Sequence, residues 1–215
     1  DMEFTLTEQT QESLRFELND TAETYAKYPF HFKLLITYKI VDNHLKITWK
    51  VDNTNDHKMY FSIGGHPAFL CPIQEKTKQT DYTLRFDTAD RIISSVLGEG
   101  GLLTNEKKTY ALDNGVLAVT KDLFDNDALV IEGNQAHEVS LAYGEEKPYL
   151  TVRFEAPLFG IWSPPKKEAP FICIEPWYGR CDRADYTGSL ENREWGNVLE
   201  AGKSFEVSYE VTVGE

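Results

Sequence analysis

Two short stretches hold residues whose type and setting could do acid/base chemistry. In FSIGGHPAFLCP (Phe61–Pro72), His66 stands between a glycine pair and a proline. Gly64 and Gly65 permit close approaches that a side chain would forbid, Pro67 fixes the exit, and Phe30, Phe61 and Phe69 can supply apolar walls. Such a setting suits either a satisfied core histidine beside a bulge or a proton donor in a pocket. In FICIEPWYG (Phe171–Gly179), a nearly continuous apolar strand from Phe171 to Ile174 delivers Glu175 to a Pro-Trp-Tyr corner. Burial there disfavours the charged carboxylate and brings a glutamate toward useful basicity near neutral pH. The alternative is a turn cap, or an ion pair with Arg180 or Arg183. One histidine and one glutamate on aromatic-flanked strand exits can serve as an acid/base pair. Trp162, Trp177 and Tyr178 could in turn lay flat apolar faces against the C–H faces of a sugar, although any one of them taken singly reads first as a core residue.

The other histidines offer less. His31, His44 and His57 fall at strand starts or in polar turns, and His137 in a polar loop. No two histidines have the HxH or HxxxH spacing of a metal pair, so no metal site is expected; zinc or copper would need ligands gathered from distant segments. Cys71, Cys173 and Cys181 form no CxxC pair, and their odd number fits a reducing compartment, with the cytoplasm as the expected location.

The elements that must position these residues are strands. Leu14, Phe16 and Leu18 alternate with polar residues, and the runs Phe32–Ile40 and Leu45–Val51 flank Asp42-Asn43 as a hairpin. Further strands are expected at Met59–Ile63, Tyr82–Phe86, Arg91–Val96, Leu129–Glu132, Glu138–Tyr143, Leu150–Phe154, Phe171–Ile174 and Phe205–Val213. Only short helices are expected, at Thr21–Tyr25 and around Ser189–Trp195. The pattern reads as an all-β domain over residues 1–215, with two packed sheets.

Composition narrows the partners. A formal net charge of -13 opposes binding to a phosphate backbone, so nucleic acid is excluded, whereas a neutral ligand is indifferent to it. Apolar runs such as Leu34–Ile36 are far short of the roughly 20 residues that span a bilayer, so no membrane partner is expected. Oligomeric state has no signature. The chain opens at Asp1 with Met2–Leu6 already alternating, and further sequence upstream is expected.

GGHPAFLCP and FICIEPWYG, with KDLFDNDALVIEG (Lys121–Gly133) and GIWSPP (Gly160–Pro165) between them in that order, resemble the aldose 1-epimerase (galactose mutarotase) family, in particular its bacterial galactose mutarotase-related branch. The likeness extends through YPFHFKLLITYKI (Tyr28–Ile40) to the final strand. It implies a large antiparallel β-sandwich and cofactor-independent interconversion of the α and β anomers of a free sugar. By that resemblance His66 protonates the ring oxygen and Glu175 takes the proton of the anomeric hydroxyl. Asp127 matches residues that hold sugar hydroxyls, with a turn aspartate as its alternative, and Trp162 lines the same cavity. Relatives also carry an upstream segment with a His-Gly-Phe-Ala-Arg-like stretch whose histidine and arginine contribute to the sugar site; this sequence lacks it. Two other readings stay open: a non-catalytic sugar-binding or sensing module on the same scaffold, and a mutarotase for hexose phosphates, for which Arg180 and Arg183 would have to face the ligand.

Overall fold

Alternation in Leu45-Lys-Ile-Thr-Trp-Lys-Val51 buries Ile47, Trp49 and Val51 on one face, and antiparallel pairing carries that phase across a whole sheet. A computed structural model of the chain describes residues 2–214. Nine strands form the first sheet, in the order β1 (Thr5–Gln9), β2 (Ser13–Asn19), β3 (Phe32–Val41), β4 (His44–Asn53), β18 (Ser204–Val213), β14 (Leu150–Phe154), β13 (Glu138–Tyr143), β8 (Tyr82–Phe86) and β11 (Val116–Ala118). The second runs β10 (Leu103–Ala111), β9 (Arg91–Leu97), β12 (Leu129–Glu132), β15 (Leu158–Trp162), β16 (Phe171–Tyr178) and β6 (Ile63–Gly64), with β7 (Ala68–Leu70) also paired to β16. A two-stranded ribbon joins β17 (Asn197–Leu199) to β5 (Met59–Phe61).

The two large sheets share one core. Trp49, Leu84, Val152 and Val211 of the first meet Ile131, Phe159, Ile172 and Ile174 of the second. The result is the expected all-β sandwich. Toward β1 the apolar face of the nine-stranded sheet runs out from under its partner, and Leu6, Leu14, Tyr38 and Ile40 are exposed there.

Several local expectations shift. The Asp42-Asn43 hairpin forms with Asp42 at φ +53, and Thr21 caps a helix, α1 (Ala22–Lys27), through a capping box. Around Ser189–Trp195 there is only a 3-10 turn at Leu190–Asn192. Sequence patterning missed β10, a polar edge strand of the kind that resists edge pairing, and β15, whose central Gly160 reads as a turn. The most consequential shift is that β16 continues through Glu175 to Tyr178, so Glu175 lies within a strand instead of at its exit. Pro176 is tolerated there for a reason visible in the ladder. Its carbonyl accepts from the Gly65 amide on the β6 side (3.0 Å), so its missing N–H faces the same edge, where regular pairing lapses between β6 and β7.

Candidate functional site

Strand β16 sorts its side chains by parity. Ile172 and Ile174 enter the core, so Cys173, Glu175 and Trp177 line the opposite face of the sheet. Gly64 pairs with Trp177 and Ala68 with Cys173, so two residues inward from either pair His66 falls opposite Glu175 although no ladder forms there. The register thus brings the two acid/base candidates face to face. His66 Nδ1 lies 3.5 Å from Glu175 Oε1, with the imidazole side chain 62% exposed and the carboxyl 4% exposed. Trp162, paired with Cys173 on the neighbouring strand, meets the His66 ring edge-on at 5.6 Å and 87°.

Glu175 has the electrostatics expected of a base. Burial pushes its pKa up, a hydrogen bond from Trp177 pulls it partly back, and the Asp127 charge raises it again, leaving it at about 7. The placement of Trp177 depends on two glycines. A Cβ on Gly160 would stand 2.4 Å from the indole, and one on Gly64 would stand 2.6 Å from it. Without side chains at those positions the indole can lie down across the sheet beside Glu175.

Asp127 enters the loop before β12 at φ +69, is exposed, and caps its own turn by accepting from the Ala128 amide at 2.8 Å. The turn role therefore coexists with an approach to Glu175 close enough to act on its charge. Among the sequence candidates, His66, Glu175, Trp162 and Trp177 share one patch and Asp127 stands at its margin. The patch is open to solvent on the His66 side. A separate cavity of about 460 Å³ lies in the loop after β16, against Arg180, Arg183, Asp182 and Tyr186, and none of the five candidates lines it.

Arg180 and Arg183 do not pair with Glu175. Arg180, with its side chain 2% exposed, donates to Glu132 at 2.6 Å and also bonds Glu194, while Arg183 bonds Glu194 and the Thr104 carbonyl, each at 3.1 Å. Ser95 and the Trp195 indole donate to Glu132 as well. The remaining histidines are satisfied locally: His31 by Asp20, His44 by Glu210 and Thr212, His57 by Asp56 and His137 by the Phe154 carbonyl. One chemically capable residue escaped sequence analysis. Cys173 is fully buried beneath the pair, burial together with the Glu175 charge pushes its thiol up to about 12, and its sulfur belongs with His66 and Glu175 to a group of ligand atoms within 4.8 Å of one another. The Cys-x-Glu spacing, which puts both residues on one face of a strand, was the available signal.

The chain as a whole has relatives among known proteins. A model of the family described as aldose 1-epimerase matches residues 1–212. The plasmid and chromosomal forms of Protein LacX from Lactococcus lactis subsp. lactis are each 30% identical to the chain over 215 residues, covering 98% of it and 72% of their own length. Among solved structures, a galactose mutarotase related enzyme from Lactobacillus acidophilus superposes with a TM-score of 0.91 at 33% identity, covering 100% of this chain and 72% of that one. A galactose mutarotase-like protein from Lactobacillus casei gives a TM-score of 0.88 at 25% identity, covering 99% and 74% respectively. A family match over nearly every residue, and a shared fold at these identities, make this chain a member of the aldose 1-epimerase family.

Proposed function

We propose that the protein is a mutarotase, interconverting the α and β anomers of a free hexose such as galactose or glucose by acid/base ring opening. One observation carries the reading: a buried carboxyl with a pKa of about 7 faces an exposed imidazole at 3.5 Å on an open, aromatic-flanked sheet face.

The sugar's O1 and ring O5 are both bonded to C1, so the proton to be removed and the proton to be delivered lie side by side. Adjacent base and acid groups meet that requirement. Glu175 takes the O1 proton as the C1–O5 bond breaks, and His66 gives a proton to O5, leaving a free aldehyde. Rotation about C1–C2 presents the other face of the carbonyl; O5 then attacks C1, returning its proton to His66, and Glu175 reprotonates O1. The cycle balances without a cofactor. Trp162 and Trp177 supply apolar faces for the ring, and Asp127 offers a hydroxyl acceptor at the margin.

The module that binds sugar without turning it over is the competing reading, and exchange spectroscopy separates the two. At anomeric equilibrium, saturating the α signal of galactose or glucose should transfer to the β signal in the presence of protein. Transfer should fall by about 10²-fold or more in folded His66→Ala and Glu175→Ala variants, the scale of one positioned acid or base. Sugar binding without transfer would favour the module. The hexose phosphate reading loses support because Arg180 and Arg183 are already engaged by carboxylates and a carbonyl.

A further inference from the structure

The geometry points to an inhibitory site for a soft divalent cation, zinc above all, formed by His66, Cys173 and Glu175 on the face of the seven-stranded sheet turned away from the core. Nothing in the anomer reaction uses Cys173, yet its sulfur and the His66 and Glu175 ligand atoms all lie within 4.8 Å of one another. With zinc bonds of about 2.0–2.3 Å, tetrahedral donors stand roughly 3.3–3.8 Å apart. His66 and Glu175 already meet that spacing at 3.5 Å.

The sheet explains why the three converge. Cys173 and Glu175 are two residues apart on β16 and so share a face, and His66 is held opposite Glu175 by the pairs on either side of it. The corner opposite Cys173 is Ala68, which is exposed and has only a methyl group, leaving a fourth position for water. Three protein ligands with one open position is a common arrangement for zinc. Thiolate and imidazole select zinc, cadmium or cobalt over magnesium and calcium, which prefer sets made only of oxygen. Binding replaces the thiol proton, which leaves to solvent, and occupies both groups assigned to the sugar. The cation therefore excludes the substrate.

Cobalt(II) titration of the full chain tests this, because a cobalt–thiolate bond has its own charge-transfer absorption. The band should saturate at one equivalent, be displaced by zinc and ignore magnesium. It should vanish in Cys173→Ser, and His66→Ala, which alters a largely exposed side chain, should weaken apparent cobalt affinity about tenfold or more. Absence of the band, its survival in Cys173→Ser, or unchanged affinity in His66→Ala would overturn the assignment. These readouts do not depend on anomerase activity, so they stand or fall separately from the proposed function. If the protein is a mutarotase, zinc should also abolish turnover reversibly, and Cys173→Ser should retain turnover while losing zinc sensitivity.

Discussion

At the scale of single residues, Glu175 is the group on which the proposed mechanism depends most. A base must be ionised to accept the O1 proton, so with its pKa at about 7 the protein's kcat/KM should climb about tenfold per pH unit on the acid side of that value. Initial-rate polarimetry across pH, corrected for the uncatalysed reaction, would show the limb. The same carboxyl affects stability in a defined direction. Its folded pKa lies above its unfolded value near 4.5, so the folded state holds the proton more tightly and stability declines as pH rises from about 4.5 to 7. Glu175→Gln removes that decline. The variant should gain on the wild type by up to about 3 kcal/mol over this window, at about 1.4 kcal/mol per pKa unit, and keep a constant lead above it. Urea denaturation at several pH values reads the difference directly.

At the scale of elements, the β6–β7 break and β16 act as one device. The interruption at Gly65–Pro67 absorbs the missing N–H of Pro176 and frees His66 from the ladder while the flanking pairs fix its height. Gly160 and Gly64 leave the space into which Trp177 settles against Glu175. Trp177→Phe keeps a ring but removes the donor, so Glu175 should become harder to ionise and the ascending pH limb should move to higher pH. Gly160→Ala should shift the limb the same way by displacing the indole, whereas a limb unmoved by either change would remove Trp177 from the tuning of the base. Much of this was legible in the sequence. Period-two alternation gave the strands and hairpin, and the G-H-P and E-P-W settings marked His66 and Glu175. The extension of β16 past Ile174 was not legible, because a proline normally ends such a strand and only the partner's gap makes it tolerable. Cys173 was missed for a related reason: the Cys-x-Glu spacing puts it beside Glu175, but His66 joins them from another segment, and pairing register cannot be read from one strand alone.

At the scale of the whole molecule, the sandwich keeps its second sheet in place partly through charge. Arg180 ties Glu132 of β12 to Glu194 of the loop that follows β16, with Ser95 and Trp195 also bonded to Glu132. Arg180→Met would strand the largely buried Glu132 without its cation, and we expect a loss of about 3–5 kcal/mol in chemical denaturation. Replacing both partners with apolar residues, Arg180→Met with Glu132→Leu, should cost less than the single change, since no uncompensated charge remains. The network also bears on the substrate. Its two arginines are engaged and the formal net charge is -13, a balance that suits a neutral sugar better than a phosphorylated one.

The most direct measurement is polarimetry on freshly dissolved α-D-galactose and α-D-glucose at neutral pH, comparing the protein with its folded Glu175→Gln variant. Relaxation to the equilibrium rotation should be accelerated by the wild-type protein for at least one of the sugars and fall back to the uncatalysed rate in the variant. Equal acceleration by both proteins, or by neither, would contradict the assignment of Glu175 as the base of a mutarotase.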